Sequence, residues 1–120
     1  MLQTVVDALM ELRSPFALYE ADIHGWVASR LEAAGLAYLH EARLAPGCRI
    51  DFLVGPVGVE IKKGKPDLPA LKNQLARYAA CAQIEALVVV TQRQARLPLR
   101  IGGKPVRQIT LSQLWGVALP

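Results

Sequence analysis

Cysteine is scarce: Cys48 and Cys81 are the only two in 120 residues, too few for a disulfide framework and without the spacing of a zinc cluster. Long apolar runs are missing as well. The longest in the strand-like region covers residues 86–90, far short of the ~18 residues a membrane helix needs, so no membrane association is expected. The amino-terminal stretch has no basic region ahead of its apolar residues and carries Asp7 and Glu11, which does not fit a secretory signal. A reduced, cytoplasmic setting is the expectation. Acidic residues are absent after Glu85, whereas Arg93, Arg96, Arg100, Lys104 and Arg107 all follow it.

That last absence is one end of a charge gradient. Residues 1–60 hold eight acids and four bases; residues 61–120 hold two acids and ten bases, within a total of +4. An acidic site beside a basic surface is what processing of a polyanion requires, although a solvated basic face would give the same counts. Hydrophobic residues make up 52% of the chain, enough to exclude disorder, and the length fits one domain over residues 1–120.

Leu2, Val5, Val6, Leu9 and Met10 recur at helical spacing. Ser14 and Pro15 suit the cap and first turn of a second helix, with Tyr19, Ile23, Trp26, Val27, Leu31 and Ala34 on its buried side. Strands are expected over residues 36–44, 48–54 and 58–63, and a helix over 68–83 with Leu68, Leu71, Leu75, Ala79 and Ala82 buried. Residues 85–91 read as a strand buried on both faces, followed by a strand or hairpin over 97–101 and 106–111 and a turn of helix near Leu114. The order predicts an α/β domain, a mixed central sheet flanked by helices, in which the third helix crosses over to a parallel strand.

The second and third strands carry the chemistry. Period-two alternation separates Ile50, Phe52 and Val54 from Asp51, and Val57, Val59 and Ile61 from Glu60 and Lys62. A four-residue loop over 55–58 would pair Val54 with Val59, Phe52 with Ile61 and Asp51 with Lys62, burying every apolar residue on one side. Asp51 and Glu60 would then be diagonal neighbours about 7–8 Å apart at Cα. Two converging carboxylates repel each other unless a hard divalent cation lies between them, and a lysine beside it completes a set suited to phosphodiester hydrolysis. A half-exposed hairpin with a surface Asp51–Lys62 pair contributing ~0–1 kcal/mol is the plainer reading.

Glu20 and His24 lie one turn apart on the second helix, at the edge of its core-facing stripe, where a carboxylate needs a partner, a metal or a positive helix end. Glu41, on the first strand, reads as a solvated position within reach of the same site. Gln74 and Tyr78, four apart on the third helix, stack on one side and offer an amide and a phenol.

Asp51, eight residues, then Glu60-Ile61-Lys62, between a glutamate-bearing helix and a crossover helix, resembles the PD-(D/E)xK nuclease superfamily. The run Gln74-Leu75-Ala76-Arg77-Tyr78 is similar to the QxxxY motif of RecB-like nuclease domains, and small stand-alone members include Holliday-junction resolvases, which act as dimers. Ile50 stands where the superfamily's name has proline.

The resemblance spans about residues 15–92 and implies a restriction-endonuclease-like αβββαβ core. It further implies Mg²⁺ or Mn²⁺ held by Asp51, Glu60, the Ile61 carbonyl and Glu20, with Lys62 positioning the attacking water. Gln74, Tyr78, His24, Lys63, Lys65, Arg93 and Arg96 would support the site or contact DNA. No base-reading motif is present, so structure- or end-directed cleavage is expected rather than sequence-specific cleavage. A nucleic-acid-binding or assembly subunit without catalysis is the alternative. The apolar segment 114–119 suits a homodimer contact, a larger nucleic-acid-processing complex or the domain's own core.

Overall fold

A computed structural model describes residues 1–10 and 20–111, Glu20 and Ala21 by backbone alone. Its elements are α1 (Leu2–Leu9), α2 (Glu20–Ala33), β1 (Leu39–Ala45), β2 (Cys48–Val54), β3 (Val57–Lys62), α3 (Leu68–Ala79), β4 (Ala86–Thr91), β5 (Arg100–Ile101) and β6 (Lys104–Thr110). The expected cap at Ser14, Pro15, Tyr19, the helical turn near Leu114 and the apolar segment 114–119 lie outside the described residues.

One mixed sheet runs β1-β2-β3-β4-β6-β5. The meander β1-β2-β3 is antiparallel, and α3 carries the chain across so that β4 pairs parallel with β3. Next to β4, β6 is again parallel, and β5 closes the edge as a short hairpin partner. The α/β architecture and the crossover therefore match the sequence pattern.

Both faces of the sheet are covered, which explains the unbroken apolar run in β4. Val88 and Val90 join Phe52, Val54, Val57, Val59 and Ile61 beneath α1 and α2. Leu87 and Val89 join Ala42, Leu44, Ile50 and Val106 beneath Leu71, Leu75 and Tyr78 of α3. Asp67 starts α3 by accepting the Ala70 N–H at 3.1 Å, with Pro69 in the first turn, where no partner for its nitrogen is needed.

Several boundaries shift from expectation. Residues 36–38 are not strand, because the Leu36 N–H closes the end of α2 on Leu31 O. Helix α3 stops at Ala79, not residue 83: the N–H groups of Cys81 and Ile84 turn onto Tyr78 O and Cys81 O, which swings Ile84 into the core. Ala34 and Ala82 consequently lie exposed beyond their helices rather than on buried stripes.

The β2–β3 register is the main correction. Val54 pairs with Val57, Leu53 with Gly58 and Phe52 with Val59, through a two-residue turn of Gly55 and Pro56. Gly55 takes φ 57° and proline holds φ near −65°, the signs of a type II′ turn, which a glycine-first pair permits. The loop is two residues shorter than expected, so the side-chain faces keep their parity but the partners change.

A second departure lies at Asp51. Ile50 packs on the α3 side and Phe52 on the α2 side, although period two puts them on one face. The alternation breaks opposite Glu41, whose φ of 55° interrupts the extended backbone of β1. With helices on both faces, each displaced apolar side chain still finds a core. Gly58 makes room for the flipped Ile50: a Cβ there would collide with Ile50 Cδ1, and Ile84 Cδ1 and Leu87 Cδ2 would lie only 3.0 and 3.1 Å away.

Candidate active site

The break at Asp51 creates the site. The β2–β3 ladder ends at Phe52 and Val59, and beyond it side chains take over the backbone bonding. Asp51 Oδ2 accepts the Ile61 N–H at 2.7 Å, and Glu60 Oε1 accepts the Asp51 N–H at 3.4 Å. Asp51 and Glu60 thus meet across the parting strands rather than as diagonal neighbours. The register no longer sets Lys62 opposite Asp51 as the longer loop would require, and the Lys62 Nζ lies 3.2 Å from Glu60 Oε2. Lys62 itself is fixed by the parallel ladder to Thr91 and by its carbonyl, which accepts the Gln92 N–H at 3.2 Å.

Glu60 is 3% exposed. Burial, reinforced by the Asp51 charge, pushes its carboxyl up from 4.5 to about 7, with the Lys62 ammonium and the Tyr78 hydroxyl opposing the rise. Tyr78 is fully buried rather than at the edge of its helix, and its phenol is pushed upward by burial and the Glu60 charge, so it stays protonated. Its hydroxyl accepts from Gln74 Nε2 at 2.8 Å and directs its single proton between Arg49 O at 2.8 Å and Glu60 Oε1 at 3.1 Å. The Gln74–Tyr78 pair therefore acts through Glu60, joining α3 to the ends of β2 and β3.

From the other face of the sheet α2 supplies His24, whose Nε2 lies 3.8 Å from Asp51 Oδ2. Glu20 is the first residue of α2, one turn before His24, and its side chain lies outside the described residues. His24 Nδ1 meets His40 Nε2 at 2.9 Å, and the His40 ring stacks on Phe52. His40 escaped the sequence reading because one histidine on an edge strand has no periodic signature. Glu41 is exposed and paired with Arg49 at 3.3 Å, as a solvated strand position should be.

Lys63, Lys65, Arg93 and Arg96 are exposed around the site's end of the sheet and the following loops. A cleft of about 270 Å³ opens beside Lys62, lined also by Asp67, Gln74 and Arg77. A larger groove of about 740 Å³, carrying Lys72, Arg96 and Arg107, runs along β6 and shares no residue with the carboxylates.

A buried carboxyl held up toward neutrality by burial and by the charge of a neighbouring carboxylate belongs to a donor set that a hard divalent cation would favour, since it removes the repulsion. Asp51 and Glu60 fit such an ion. No protein-family model, curated protein or solved structure matches the chain. Among the described residues no helix is long and apolar enough to cross a membrane.

Proposed function

We propose that the chain is a Mg²⁺- or Mn²⁺-dependent nuclease that hydrolyses DNA phosphodiester bonds, built on a restriction-endonuclease-like αβββαβ core. The observation that carries this reading is the meeting of Asp51 and Glu60 where β2 and β3 part, with Lys62 on Glu60 and an open cleft alongside. Asp51 and Glu60 would hold the divalent ion, which would supply Lewis acidity at the scissile phosphate.

Each residue then has a defined part. Lys62, 30% exposed and poised between Glu60 and the cleft, orients the attacking water and offsets the charge that develops on phosphorus. Tyr78 and Gln74 hold Glu60 in place. Lys63, Lys65, Arg93 and Arg96 engage the phosphate backbone through salt-sensitive contacts, without reading bases.

The test is hydrolysis of labelled single strand, duplex, flap and four-way junction with Mg²⁺ or Mn²⁺, comparing wild type with Asp51→Ala. Metal-dependent cutting that Asp51→Ala abolishes supports the proposal, and the preferred substrate separates a resolvase from an exonuclease or a flap endonuclease. DNA binding without cleavage by either protein overturns it in favour of a binding subunit.

A further inference from the structure

We propose that His24, His40 and Glu41 form a transition-metal site at the junction of α2 and β1, separate from the Asp51–Glu60 pair and selective for ions such as Zn²⁺ or Co²⁺. One donor atom from each of the three lies within 4.8 Å of the others. The closest pair, His24 Nδ1 and His40 Nε2, is 2.9 Å apart. Two nitrogens sharing an ion at about 2.0–2.1 Å would be about 3.0–3.4 Å apart, so only a small parting of the rings admits the metal.

The backbone is shaped for this convergence. His40 and Glu41 are successive residues of β1, and in an extended strand successive side chains point to opposite faces. Glu41 instead takes φ 55°, the only positive φ outside glycine among the described residues, and its carboxylate comes within 4.8 Å of the imidazole nitrogens of His24 and His40. The His40 ring is held in orientation by stacking on the buried Phe52, with centroids 4.5 Å apart and planes 19° from parallel. The second nitrogen of His24 lies 3.8 Å from Asp51 Oδ2, so a carboxylate stands behind the ring, outside hydrogen-bond distance of it.

Ligand chemistry decides the ion. Two imidazoles and one carboxylate favour Zn²⁺, Co²⁺ or Ni²⁺ over Mg²⁺, which prefers oxygen donors alone. His40 and Glu41 are exposed, so further coordination positions face solvent. Arg49, at 3.3 Å from Glu41 Oε2, balances that carboxylate and is itself exposed enough to yield it. A bound ion would clamp α2 to β1.

Titration of the full chain with Co²⁺, read by its visible absorption bands and repeated with Zn²⁺ as competitor, tests the proposal without reference to DNA cleavage. Two variants remove ligands at little risk to folding: His40→Phe keeps a ring on Phe52, and Glu41→Gly suits the positive φ. The expected result, with Mg²⁺ kept in excess to occupy Asp51 and Glu60, is one Co²⁺ per chain displaced by Zn²⁺, with affinity falling about tenfold or more in each variant. Binding unchanged in both variants, or no Co²⁺ bands in wild type, overturns it. Loss in Glu60→Gln with none in His40→Phe also overturns it, by placing the ion on the other carboxylates.

Discussion

Replacing Glu60 by glutamine should make the metal-free protein more stable at alkaline pH, and by a calculable amount. Glutamine keeps the shape and a hydrogen-bonding group for Tyr78 while removing a charge from a site that is 3% exposed. Below about pH 4.5 Glu60 is protonated in the folded and unfolded chain alike and contributes no pH-dependent difference. Between 4.5 and about 7 the unfolded chain loses its proton before the folded one, so wild-type stability falls as pH rises. Above about 7 the loss is complete and amounts to about 3 kcal/mol, the separation of the two values at 1.36 kcal/mol each. The help from Lys62 and Tyr78 is already included, since both act to lower the folded value.

Urea unfolding followed by circular dichroism in a chelator, from pH 4.5 to 8.5, would read the difference between the two proteins directly. Glu60→Gln should match wild type near pH 4.5 and exceed it by about 3 kcal/mol at pH 8.5, roughly 10–15 °C in Tm. Saturating Mg²⁺ should then close the gap by stabilising wild type alone. A variant less stable than wild type at pH 8.5, or a difference that does not change with pH, would refute the account of a strained buried carboxylate.

Three further outcomes follow from the packing and bonding. Tyr78→Phe strips a buried donor from Arg49 O and Glu60 and leaves Gln74 without its acceptor; thermal melts should show a loss of about 1–3 kcal/mol. Gly58→Ala drives a methyl into Ile50 with Ile84 and Leu87 behind it, and should cost about 1–3 kcal/mol in urea unfolding. Leu75→Ala, in the fully buried α3 interface, should cost about 2–5 kcal/mol by the same measurement.

How much of this was legible in the sequence depended on which physical signal a feature leaves. The uninterrupted run in β4, the start of α3 at Leu68 and the two strands of the hairpin each leave a local pattern, and each lies within a residue of its expected place. Hairpin register leaves less. Loops of two and four residues both preserve face parity, so apolar alternation alone could not choose, and Gly55 ahead of Pro56 was the deciding signal. The inversion of Ile50 against Phe52 was hidden because a sheet covered on both faces accepts apolar side chains on either.

The candidate site was similarly divided. Asp51, Glu60 and Lys62 were recognisable from their spacing, but their partners changed with the register: Lys62 went to Glu60, and Asp51 to a backbone N–H. Tyr78 was placed at a helix edge because an amphipathic phenol suits either environment, and only the sheet packed against α3 shows it buried beside Glu60. His40 reaches His24 across sixteen residues of chain, a contact no spacing rule anticipates.

The most direct test of the central claim is the rate of DNA cleavage by Lys62→Ala relative to wild type in Mg²⁺, with DNA affinity measured in parallel in Ca²⁺. With Lys62 acting on the developing charge as proposed, its removal should lower cleavage by about 10²-fold or more while changing binding little. Cleavage by Lys62→Ala at the wild-type rate would contradict the assignment of this lysine, and with it the catalytic role of the carboxylates beside it.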